Sequence, residues 1–184
     1  MNFWGSYPFS THMVQHFLLA LVIPPLVLLS MPRRFAPAVM EGALGRPPIS
    51  WLIGVGTMLI WHIPAFFNPA LGNQGLHIFQ LLSFPVSGVI FWWPILSPLE
   101  DRRLPVLGAV SYLFSACICC SILGAFLTFG PLGLYAVHAH AQPDPRGDQQ
   151  LAGMLMWVPG CFVYLSGILA TVMRWYGAAA QHEN

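Results

Sequence analysis

The chain has no lysine, and only 7% of its 184 residues carry charge, where a soluble domain has about a quarter. With a net charge of +1 there is no basic surface to hold phosphates, which excludes nucleic acid as a partner. No P-loop, dinucleotide fingerprint, nucleophile elbow or catalytic-triad pattern occurs, so an enzyme in the usual sense is not expected. The carboxylates Glu41, Glu100, Asp101 and Glu183 lie outside the apolar runs, so a proton-pump ladder is missing. The four cysteines lack zinc-site spacing: Cys117, Cys119 and Cys120 share one apolar run and Cys161 sits in another. A disulfide framework does not belong inside lipid, and these residues read as small side chains that let helices approach closely. Residues 1–11 have neither a positive n-region nor a small-residue cleavage signal, so the first apolar run is expected to be retained.

What remains is hydrophobic: 57% of residues are apolar. Stretches of about 20 such residues, enough to cross roughly 30 Å of hydrocarbon, fall at 12–31, 49–67, 76–96, 104–129 and 150–173. The expectation is an all-α integral membrane bundle of about five transmembrane helices, forming a single domain over 1–184. Pro24, Pro25, Pro64, Pro85, Pro94 and Pro159 fall inside these stretches; each removes a backbone donor and favours a kink. Trp51, Trp61, Trp92, Trp93, Trp157, Trp175 and Tyr176 lie toward span ends and read as interfacial anchors.

Arginine placement gives an orientation, because positively charged loops stay in the cytoplasm. Arg33, Arg34, Arg46, Arg102, Arg103 and Arg174 fall on one face and Arg146 alone on the other, which predicts the amino terminus outside and the carboxyl terminus inside. The histidines played no part in that derivation. His12, His16, His62 and His77 nevertheless fall at the outer boundary, His138 and His140 in the outer loop, and only His182 inside.

Histidines 12 and 16 are four residues apart, the helical spacing at which two imidazoles share a face and can chelate one ion. Together with His62 and His77 they form the predicted metal site, with Met154, Met156 and Asp148 as further candidates. Imidazole and thioether ligands suit copper, particularly Cu(I), ahead of zinc, whereas an oxygen-only set would point to magnesium or calcium. Asp148, in the first turn of the fifth span, also complements that helix's dipole. The loop 130–148 is long and rich in glycine and proline, the composition of a lid or a docking segment.

Several stretches together carry a resemblance: His12-Met13-Val14-Gln15-His16 with Pro24-Pro25; Trp61-His62-Ile63-Pro64; Leu76-His77 leading to Ser83-Phe84; and Phe91-Trp92-Trp93-Pro94-Ile95-Leu96. The last are Asp148-Gln149-Gln150-Leu151-Ala152-Gly153-Met154 and Met156-Trp157-Val158-Pro159-Gly160. Over nearly its whole length the chain resembles the CtaG family of multi-span cytochrome c oxidase assembly factors, related in sequence to the CopD copper-resistance proteins. The resemblance implies maturation of a haem-copper oxidase through copper handling at the outer face of a bacterial inner membrane. Oxidase subunits and a copper donor protein would be the partners. Family members are commonly longer, with about seven spans, and often have a second histidine near the position of Leu81, where this chain has Gln80 and Leu81. Two other readings fit the same residues: an accessory transmembrane subunit of a respiratory oxidase, or a membrane cytochrome holding haem b between histidines of facing helices.

Overall fold

A computed structural model describes residues 9–35, 40, 42–132, 134–135 and 143–182, with side chains to residue 177. Among the described residues all regular structure is helical. Helix α1 (Phe9–Phe17) passes through a π turn (Leu18–Val22) into α2 (Ile23–Ser30). Then follow α3 (Pro47–Trp61), α4 (Pro64–Gly72), α5 (Gln74–Leu96), α6 (Val106–Phe129) and α7 (Pro145–His182). Among the described residues, four helices are long and apolar enough to cross a membrane: Phe9–Ser30, Gln74–Leu96, Val106–Phe129 and Pro145–Gly177. The bent pair α3 and α4, taken as one span, makes a fifth. The chain is thus an all-α, multi-pass membrane bundle.

That second span departs from the single helix expected over 49–67, because the chain breaks after Trp61 and turns through 69°. Pro64 is the cause: its ring disfavours helical geometry at the preceding residue, and Ile63 is extended (φ −70°, ψ 126°). Proline then opens α4 at a position where a missing N–H costs nothing. Helix α3, with its 15 residues, reaches only about 22 Å. Helix α4 ends at Gly72, and Asn73 immediately caps α5 by accepting from the Leu76 N–H at 3.1 Å.

The first span also answers to its prolines. Before Pro24 and Pro25 the helix widens, and the Ile23 N–H bonds the Leu18 carbonyl five residues back. Such an extra residue in a turn relieves the clash of a proline ring with the carbonyl four positions earlier. Helix α5 meets this bulge with Gly88, where an added Cβ would lie 2.5 Å from Pro24 Cγ and 2.6 Å from the Ala20 oxygen.

Helices α6 and α7 pack closely, with Gly124 against Trp157 and Gly153 against Thr128. The free thiols of Cys117 and Cys161 meet across this seam at 3.5 Å. Three of the expected interfacial tryptophans are instead buried: Trp61 at the end of α3 is 8% exposed, and Trp92 and Trp93 of α5 are 2% and 1% exposed. Trp92 stacks on Tyr164 with ring centres 6.2 Å apart. Their place near the end of α5 is interfacial in sequence, but the side chains face the bundle, where large rings fill the space between helices.

Candidate metal centre

Antiparallel packing brings the amino ends of α1, α5 and α7 to one end of the bundle, beside the α3–α4 break. His12 and His16 come from α1, His77 from the first turn of α5, and His62 from the break itself. All four are buried, at 4%, 0%, 0% and 2% exposure respectively. They form a row. Ring centres are 5.3 Å apart for His62 and His16, 4.3 Å for His16 and His12, and 5.3 Å for His12 and His77. Phe67 of α4 packs edge-on against His12 at 5.2 Å, and Phe84 of α5 lies 4.4 Å from His16.

The environment of His62 is the most informative. Its Nδ1 lies 2.6 Å from the Met58 carbonyl. A carbonyl only accepts, so Nδ1 carries the proton and Nε2 holds the lone pair. That Nε2 is buried with no hydrogen-bond partner. An imidazole with one nitrogen donating to backbone and the other keeping its lone pair has the arrangement of a metal-binding histidine. The Gln80 amide, wholly buried on α5, is a side-chain partner of His77. Leaving a buried polar atom such as His62 Nε2 unsatisfied costs about 1–3 kcal/mol. The site is built for something polar.

Two imidazoles on one ion, with bonds of about 2 Å, have ring centres about 5–6 Å apart. The His62–His16 and His12–His77 separations match this. However, no group of three or more His, Cys, Asp or Glu side chains among the described residues stands ready around one point. The arrangement suits two ligands at a time rather than a closed tetrahedral cage.

The other candidates lie differently. Asp148 turns both oxygens to α1, accepting from the Phe9 N–H at 2.6 Å, the Ser10 N–H at 3.2 Å and the Ser10 hydroxyl at 2.6 Å. It therefore caps the helix that carries His12 and His16, and the cap of its own helix falls to Asp144, which accepts from the Gly147 N–H at 3.0 Å. Met156 is buried in the main core, where its carbonyl meets the Cys120 thiol at 3.7 Å. Met154 is 46% exposed, on the outside of α7, apart from the buried row. His138 and His140 lie outside the described residues.

Sequence reasoning missed the roof of the site. Tyr135 donates to the His62 carbonyl at 2.6 Å and stacks on Phe9 at 4.9 Å, while its ring meets Phe67 edge-on at 5.1 Å. Burial pushes its phenol up to about 12, which keeps the O–H in place as donor at neutral pH. Asn68 of α4 holds the adjoining backbone by donating to the Leu134 carbonyl at 3.0 Å. A tyrosine inside an otherwise polar and glycine-rich loop was the available signal.

The chain is similar to known proteins over most of its length. Uncharacterised proteins of Mycobacterium bovis and Mycobacterium tuberculosis are each 28% identical over 94% of this chain, and one of Mycobacterium leprae is 23% identical over the same share. The chain spans 30% of the length of these relatives. No solved structure matches. The family model for the cytochrome c oxidase caa3 assembly factor (Caa3_CtaG) matches residues 1–178, and the chain belongs to that family of oxidase assembly factors.

Proposed function

We propose that this chain is the membrane unit of an oxidase assembly factor that holds copper at His12, His16, His62 and His77 and passes it to a haem-copper oxidase. The single observation that carries the reading is the buried row of four imidazoles, with His62 held by Met58 through Nδ1 and its Nε2 lone pair without a hydrogen-bond partner. Family membership supplies the oxidase. Imidazole ligands admit copper and zinc alike, and the oxidase's own metal requirement favours copper. The role is binding and delivery rather than catalysis.

A row suits delivery better than storage. With two imidazoles on the ion at a time, a further ligand can enter before an old one leaves, whether it belongs to a donor protein or to the oxidase. Asp148 holds the middle of the row through α1, which carries His12 and His16, and Tyr135 holds one end through the His62 backbone. The histidine end faces outward in this reading, because the arginines gather at the opposite end, and the host is a bacterial inner membrane. The 184 residues act as one domain.

The test is metal content. Protein purified after copper loading should retain copper, and a His62→Ala variant that stays folded should lose most of it. Unchanged retention in that variant would remove His62 from the site.

A further inference from the structure

At the end of the bundle opposite the histidines, a groove of about 480 Å³ runs between α2, α5 and α7. Its walls are apolar, including Leu26, Leu29, Leu96 and Phe162, and Gly167 forms the floor over Trp92. An added Cβ at Gly167 would come within 3.1 Å of the Trp92 ring, so the groove's depth depends on the missing side chain. Arg174 stands at its mouth. That guanidinium donates to the Ile95 carbonyl and the Thr171 hydroxyl, both at 3.3 Å, long bonds that occupy one nitrogen. Arg103 is within electrostatic reach of it and donates to the Ser97 carbonyl at 2.8 Å. Among the described residues, the carboxylates at this end are taken by other cations: Glu100 by Arg33 at 3.1 Å and Asp101 by Arg102 at 3.3 Å. Arg103 and Arg174 thus leave positive charge uncompensated beside an apolar channel open along the bundle's outer face.

We propose that this groove binds one anionic phospholipid, its acyl chain lying along α2 and α7 and its phosphate on Arg174 with Arg103 behind it. The charge argues for the phosphate, because a guanidinium offers paired N–H donors that match phosphate oxygens. The apolar walls argue for the chain, and a basic pocket between spans is a general form of headgroup site. The inference is independent of the copper reading, since no histidine takes part.

The test is native mass spectrometry of the full chain released from micelles containing phosphatidylglycerol or, separately, phosphatidylcholine. One retained phosphatidylglycerol is expected, with phosphatidylcholine retained at least about tenfold less, because its choline cation offsets the phosphate charge and is repelled by Arg174 and Arg103. Arg174→Gln should remove the preference by deleting charge. Ala170→Trp should remove it by filling the groove from an exposed position, so it decides the matter if Arg174→Gln fails to fold. Millimolar inorganic phosphate should not displace the lipid. Equal retention of both lipids, undiminished retention in Ala170→Trp, or displacement by phosphate alone would overturn the proposal.

Discussion

At the scale of single residues, the site depends on two groups that touch no imidazole lone pair. Asp148 crosses from α7 to hold the amino end of α1 with three hydrogen bonds. Hydrogen bonds to a charged acceptor contribute about 1.5–3 kcal/mol, so Asp148→Asn should lower stability by an amount in that range, read as a drop in unfolding temperature in detergent. It should also weaken copper retention; a variant as stable as wild type would deny the cap its role. Tyr135→Phe removes one neutral bond to the His62 carbonyl and should cost about 1 kcal/mol, with the ring packing on Phe9 and Phe67 preserved. Metal retention should also depend on acidity. Protons compete with the ion for imidazole, so the sign is loss of copper as pH falls. Copper retained undiminished at strongly acidic pH, in protein that stays folded, would count against histidine ligation. Sequence alone gathered the four histidines, because spacing and the order of apolar runs already put them at one end. It did not find the partners of Asp148: a carboxylate in a first turn normally serves its own helix, and only the α1–α7 packing reveals otherwise.

At the scale of elements, prolines determine where the helices yield. The break at His62 is a consequence of Pro64, and it does two things: it frees the His62 ring from a continuous helix and swings Phe67 of α4 onto His12. The sequence showed the proline and predicted a kink there. It did not show that α4 would become a separate helix at 69°, because hydrophobicity continues unbroken through Phe67 and carries no record of direction. The same limit explains Trp92 and Trp93, whose position in the chain suggested lipid headgroups while their rings fill the core. In the first span, the π turn is matched to Gly88 of α5. Gly88→Val should force α1–α2 away from α5 and cost about 1–3 kcal/mol, as overpacking does. Unfolding that matches wild type would show that the bulge adapts freely.

At the scale of the whole molecule, the bundle is polarised, with buried imidazoles at one end and arginines at the other. The proposed delivery of copper would use that polarity, since the metal would be presented on one side of the membrane. The proposed orientation predicts that a cysteine introduced at Asn73, between α4 and α5, reacts with an impermeant thiol reagent in intact cells, and that one introduced at Glu100 does not. Labelling of Glu100→Cys alone would invert the bundle. The copper site is open to metal analysis with an absorption spectrum on protein purified in detergent, wild type beside His12→Ala/His16→Ala. About one copper per chain is expected, as when imidazoles of one row share a single ion, and so is its loss in a folded double variant. Folded wild-type protein without copper, or with a haem Soret band in its place, would contradict it.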